Sequence, residues 1–106
     1  MLQRNIKSFT ELIVWQKSHE LFLRCAEDIR NLPRDRVANV IADQLMRAIG
    51  SISANIAEGF GRRKGREYLH YLIIARGSST ESINWYLKCR QVVAQMNFIS
   101  YFSISL

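Results

Sequence analysis

Apolar residues recur at three- and four-residue steps along most of this chain, and that spacing predicts helices. Leu12, Trp15, His19, Phe22, Ala26 and Ile29 make a first stripe. Ser8 or Thr10 is placed to cap it, and Glu11 suits its positive end. The helix should stop near Leu32, because Pro33 disfavours helical geometry in the residue before it. Asp35 or Asn39 can cap a second helix, with Val37, Ile41, Leu45, Ile49, Ile52 and Ile56 on one face. Gly59 and Gly61 are expected to end it. A third stripe follows: Tyr68 or Leu69, Leu72, Ala75, Ser79, Ile83, Tyr86, Arg90 and Val93. Its small-residue middle holds Gly77, where a close backbone approach is expected to offset a cost of up to ~1 kcal/mol against alanine.

The last stretch changes character. Gln91 to Leu106 carries no charged side chain. Phe98, Phe102 and Leu106 fit a helix, whereas Phe102, Ile104 and Leu106 alternate like a strand. So apolar a segment should pack on its own bundle or on a neighbour. The pattern as a whole predicts an all-α protein: an antiparallel up-down bundle of three long helices plus a short or truncated fourth segment.

Composition narrows the picture. At 106 residues the chain is one helical-bundle domain, 1–106. One proline and five glycines argue against a many-turned β architecture. A net charge of +6 favours polyanions or acidic protein surfaces as partners. No stretch suits a bilayer span or a secretory signal, so a cytoplasmic location is expected, with no membrane partner. There Cys25 and Cys89 should be reduced packing residues. Two Cys and two His at scattered spacing give no metal signature, and no cofactor or small-molecule substrate is expected.

The candidate chemistry lies in the turn after the second helix. Arg62, Arg63, Lys64 and Arg66 put four cations in five positions beside glycines. They read as a solvated connection or as a phosphate-backbone contact. A nucleotide loop is a poor fit, because Lys64–Gly65 reverses the key dipeptide of a Walker motif. Arg34, Arg36 and Arg76 are weaker additions. Gln44, Arg47, Ser51 and Asn55 descend one face of the second helix and should bond each other or Glu81. Glu58 and Arg62 form an i,i+4 pair. Trp15 reads as core; Trp85, Phe98 and Phe102 are interface candidates. Tyr68 and Tyr71 could stack bases but suit packing better, and His19 and His70 have no nucleophile or ligand partner.

Several segments together resemble the four-helix bundle protein family of ribosomal RNA intervening-sequence proteins, which includes the accessory protein of diversity-generating retroelements. They are FTELIVWQK (Phe9–Lys17), QLMRA (Gln44–Ala48), SISANIAEGFGR (Ser51–Arg62), Glu67–Tyr71 and ARGSSTE (Ala75–Glu81). The resemblance implies an antiparallel four-helix bundle, a ring-like homopentamer and no enzymatic activity. It also implies binding of nucleic acid through a basic surface, alongside a protein partner. Ser53 stands where the family often has proline, and ISYFSISL replaces a full, charged fourth helix. The expectation is a non-enzymatic oligomeric scaffold that binds RNA or DNA through its basic surface. The alternative is a purely protein-binding module.

Overall fold

The computed structural model describes residues 5–62 and 65–105, with side chains through Met96 apart from that gap. Three α-helices and one short 3-10 helix make up the fold, with no strand among the described residues. The 3-10 helix, Phe9–Glu11, is held by a reciprocal cap. Thr10 N donates to Ser8 Oγ at 3.2 Å, and Ser8 N donates to the Glu11 carboxylate at 2.9 Å. Helix α1, Ile13–Arg30, begins after Leu12 without a side-chain cap. It ends where Asn31 Nδ2 donates to the Glu27 carbonyl at 3.0 Å, two residues before Pro33. Helix α2, Arg36–Arg62, is capped by Asp35, whose carboxylate accepts from Ala38 N at 2.9 Å. Gly59 and Gly61 are helical residues of α2, which corrects their expected role as its end. The left-handed glycine is Gly65, at φ 49°, between α2 and α3.

Helix α3 runs unbroken from Arg66 to Ser105. The expected short fourth segment is therefore the continuation of the third helix. No proline or glycine follows Gly77, so nothing in the chain compels a break.

α2 is the central element, touching both α1 and α3, while no Cα of α1 comes within 8 Å of one of α3. Leu45, Ile49, Cys25 and Cys89 form one buried cluster, joined by Phe22, Ile29 and Trp85; Ile52, Ile56 and Ala75 form another, joined by Leu12, Trp15 and Leu72. The α3 side of the α2–α3 seam is built from small residues. Ala75, Ser78, Ser82 and Cys89 are buried on α3, against Ala48, Ile52, Ile56 and Gly59 on α2. Of the stripe read from the sequence, Leu72, Ala75 and Val93 lie on the core, but the residues between Ser79 and Val93 turn away from it. Ile83 and Tyr86 are 58% and 50% exposed, and Arg90 is exposed. Period alone favours the bulky side chains, but two backbones approach most closely over small ones. Gly77 is also exposed, with nothing within 4 Å of a Cβ built there, so the expected close approach is absent at that residue. The close approach belongs to Gly59, packed on Tyr71 and Tyr68.

The molecule is long, 65 × 22 × 20 Å, with a radius of gyration of 17.8 Å where a compact chain of this length has about 13 Å.

Candidate nucleic-acid interface

The basic turn forms one end of the molecule. α2 carries Arg62 in its last turn, Gly65 reverses the chain, and α3 opens with Arg66. Arg66 is exposed. Arg63 and Lys64 lie outside the described residues. Arg62 is held from two sides. Its Nε donates to the Glu58 carboxylate at 2.9 Å, and its guanidinium lies 5.5 Å from the Tyr71 ring centroid. The hydrogen bond that Arg62 donates to Glu58, and then the charges of Tyr71 and Glu58, push the Arg62 pKa above its ordinary value. Both side chains remain half exposed. The guanidinium is thus aimed but not sequestered.

The start of α1 lies on the half of α2 nearer the turn, because Leu12 and Trp15 pack against Ile52 and Ile56. Trp15 is half-buried, with Phe9 edge-on at 5.2 Å and His19 stacked at 4.6 Å. His70 meets the Tyr71 ring edge-on at 5.5 Å. Tyr68 and Tyr71 are half-buried against Gly59, so they support the corner from behind. Arg34 and Arg36 are exposed at the opposite end of α2, about 40 Å away along a 27-residue helix. They cannot share one short phosphate contact with Arg62 and Arg66. Arg76 is exposed ten residues along α3 from Arg66, about 15 Å.

The polar residues of α2 divide. Asn55 Nδ2 donates to the Ser51 carbonyl at 2.8 Å and to Ser51 Oγ at 2.9 Å. Ser51 Oγ meets Ser78 Oγ at 2.9 Å across the seam, and Ser82 Oγ donates to the Ser78 carbonyl at 2.7 Å. The cross-helix partner is Ser78, which corrects the expected bond to Glu81. Glu81 is exposed and accepts from Trp85 Nε1 at 3.3 Å on its own helix. Arg47 is exposed and Gln44 half-buried, neither bonded to this network. Trp85 is half-buried against the Leu45–Ile49 cluster, on the seam side of α3. The side chains of Phe98 and Phe102 lie outside the described residues.

Cys25 and Cys89 are free and buried. Burial pushes both thiols up from their ordinary range, and for Cys25 the charge of Asp28 adds to it. Their Cα atoms are more than 8 Å apart, too far for a disulfide without backbone movement. Among the described residues, no three His, Cys, Asp or Glu side chains are grouped to hold a metal ion, and no helix is long and apolar enough to cross a membrane.

Two observations characterise this end: a cationic turn on a glycine-packed helix pair, and a serine-bonded seam behind it. The family model described as 23S rRNA-intervening sequence protein matches residues 10–101. No match is found among curated proteins or among solved structures. With nearly the whole chain covered, the protein belongs to the 23S rRNA-intervening sequence protein family.

Proposed function

We propose that the protein is a non-enzymatic helical scaffold, an antiparallel up-down bundle that assembles with copies of itself and contacts RNA or DNA through its basic corner. The carrying observation is that corner. Arg62 and Arg66 flank a left-handed glycine turn at the tip of the bundle, with Arg63 and Lys64 between them in the chain. Glu58 and Tyr71 fix the direction of Arg62, which lowers the entropy lost on meeting a phosphate. Membership of a family described by ribosomal RNA intervening sequences supports a nucleic-acid role. In an assembly of copies the corners would add, and counterion release would make binding strongly salt-dependent.

The test is a salt titration of oligonucleotide binding, with wild-type protein and with Arg62, Arg63, Lys64 and Arg66 replaced by alanine. Affinity should fall steeply between low and moderate salt, and the quadruple variant should lose both affinity and slope. Undiminished binding by that variant would eliminate the corner as the contact. A module that binds only protein is the rival reading, and the exposed apolar residues of α3 favour it. It prevails if the wild type has no salt-dependent affinity for either RNA or DNA.

A further inference from the structure

A groove of about 600 Å³ runs between α1 and α3, floored by Leu45 and Ile49 of α2. Leu21 and Ile29 line one wall; Ile83, Tyr86 and Val93 line the other. It lies open because the backbones of α1 and α3 stay more than 8 Å apart. Surface area gives the scale of what is uncovered. The chain exposes 8204 Å², whereas a compact monomer of 12.3 kDa exposes about 6,100 Å². The excess, about 2,100 Å², is the size of one partner's share of an obligate interface.

The same helix that walls the groove carries an uncharged end. α2 and α3 meet at Gly65, but α2 has 27 residues and α3 has 40. The final part of α3 therefore projects about 20 Å past the start of α2. It lies within the stretch from Gln91 onward that has no charged residue. A straight helix cannot turn its own end back into a groove that it walls. The corresponding end of another copy, arriving antiparallel to α3, can. Residues 97–105 span about 13 Å of helix, and the wall from Ile83 to Val93 spans about 15 Å.

We propose that the end of α3, residues 97–105, docks in the α1–α3 groove of a second copy. The proposal rests on the self-assembly part of the function above and names its contact. Each copy offers one groove and one helix end, so mutual exchange closes a pair and head-to-tail exchange closes a ring. Arg24, Asp28 and Arg90 also line the groove, but most of its lining is apolar, which suits an uncharged helix, and burying a charged one against that apolar part would carry a desolvation cost.

Two full-length variants test it by solution mass, without nucleic acid, so the result is independent of the corner. Ile83→Glu places a charge in the groove at an exposed position, and Phe102→Glu places one on the docking end. Wild type should run as a pair or ring. Each variant alone should run at the 12.3 kDa of one chain with unchanged helicity by circular dichroism. Mixed together they should associate one to one, since one retains its helix end and the other its groove. A monomeric wild type, a variant that keeps the wild-type mass, or a mixture that fails to associate would overturn the proposal. If either variant loses helicity, Ile83→Ala and Phe102→Ala replace them, and each must weaken assembly on dilution at least tenfold.

Discussion

A Cβ added to Gly59 would stand 2.9 Å from the Cβ of Tyr71, closer than two such atoms can rest. The obstructing atom is fixed to the α3 backbone, so only a shift of the helices could relieve it. Gly59→Ala should destabilise the fold by about 1–3 kcal/mol in urea denaturation. Gly77→Ala meets open space in a helix interior and should stabilise it by up to ~1 kcal/mol, and Gly61→Ala, open as well but in the last turn of α2, by less. Opposite signs for chemically identical changes separate close approach from helix propensity.

Ser51 and Ser78 share a hydrogen bond across the seam, and Asn55 donates to Ser51 as well. Ser51→Ala and Ser78→Ala should each cost about 1 kcal/mol. The double variant should cost less than the two together, with a coupling of about 0.5 kcal/mol or more in a double-mutant cycle. Additive losses would mean that the serines pack side by side without bonding.

Glu58 restrains Arg62 and also places a negative charge beside the basic corner. Both groups are half exposed, so Glu58→Gln should alter stability by no more than about 0.5 kcal/mol. Its effect on oligonucleotide binding should be larger and opposite in sense. Affinity should rise at low salt, and the gain should fade as salt increases. Binding and denaturation curves on the same preparation check both halves.

The thiols of Cys25 and Cys89 are pushed up by burial, so the folded chain keeps their protons at a pH where the unfolded chain releases them. Their contribution to stability is complete below the ordinary thiol value of 9.0 and is lost as pH rises beyond it toward the folded values. Denaturation midpoints of wild type should therefore fall more steeply between pH 8 and about 10 than those of a Cys25→Ala/Cys89→Ala variant. Parallel curves would show that other groups govern the alkaline limit.

Helix positions were legible because apolar periodicity, Asp35 and Pro33 act over a few residues, whereas the end of α2 was read at Gly59 and Gly61 and not at Gly65. The facing of α3 was legible only in part. Leu72, Ala75 and Val93 were placed by their period, yet between them the seam uses Ser78, Ser82 and Cys89 rather than Ile83 and Tyr86, because what decides the facing is how closely two backbones approach, a property of the pair. Gly59 illustrates the same limit: alone it reads as a helix end, and only Tyr71 on the other helix reveals why no side chain fits. The cationic turn was plain in composition. That Arg62 is anchored by Glu58 followed from their spacing, whereas its placement over Tyr71 required the fold. Arg34 and Arg36 looked like companions of the turn only while the 27 residues of α2 had no direction in space.

The unbroken α3 works as a ruler. Forty helical residues fix Arg66 and the uncharged end about 60 Å apart, a length equal to roughly eighteen stacked base pairs. An oligonucleotide bound at the cations as proposed would therefore leave the far end of α3 untouched, and a copy docked on that end would leave the cations free. One rigid strut thus keeps two kinds of contact from competing.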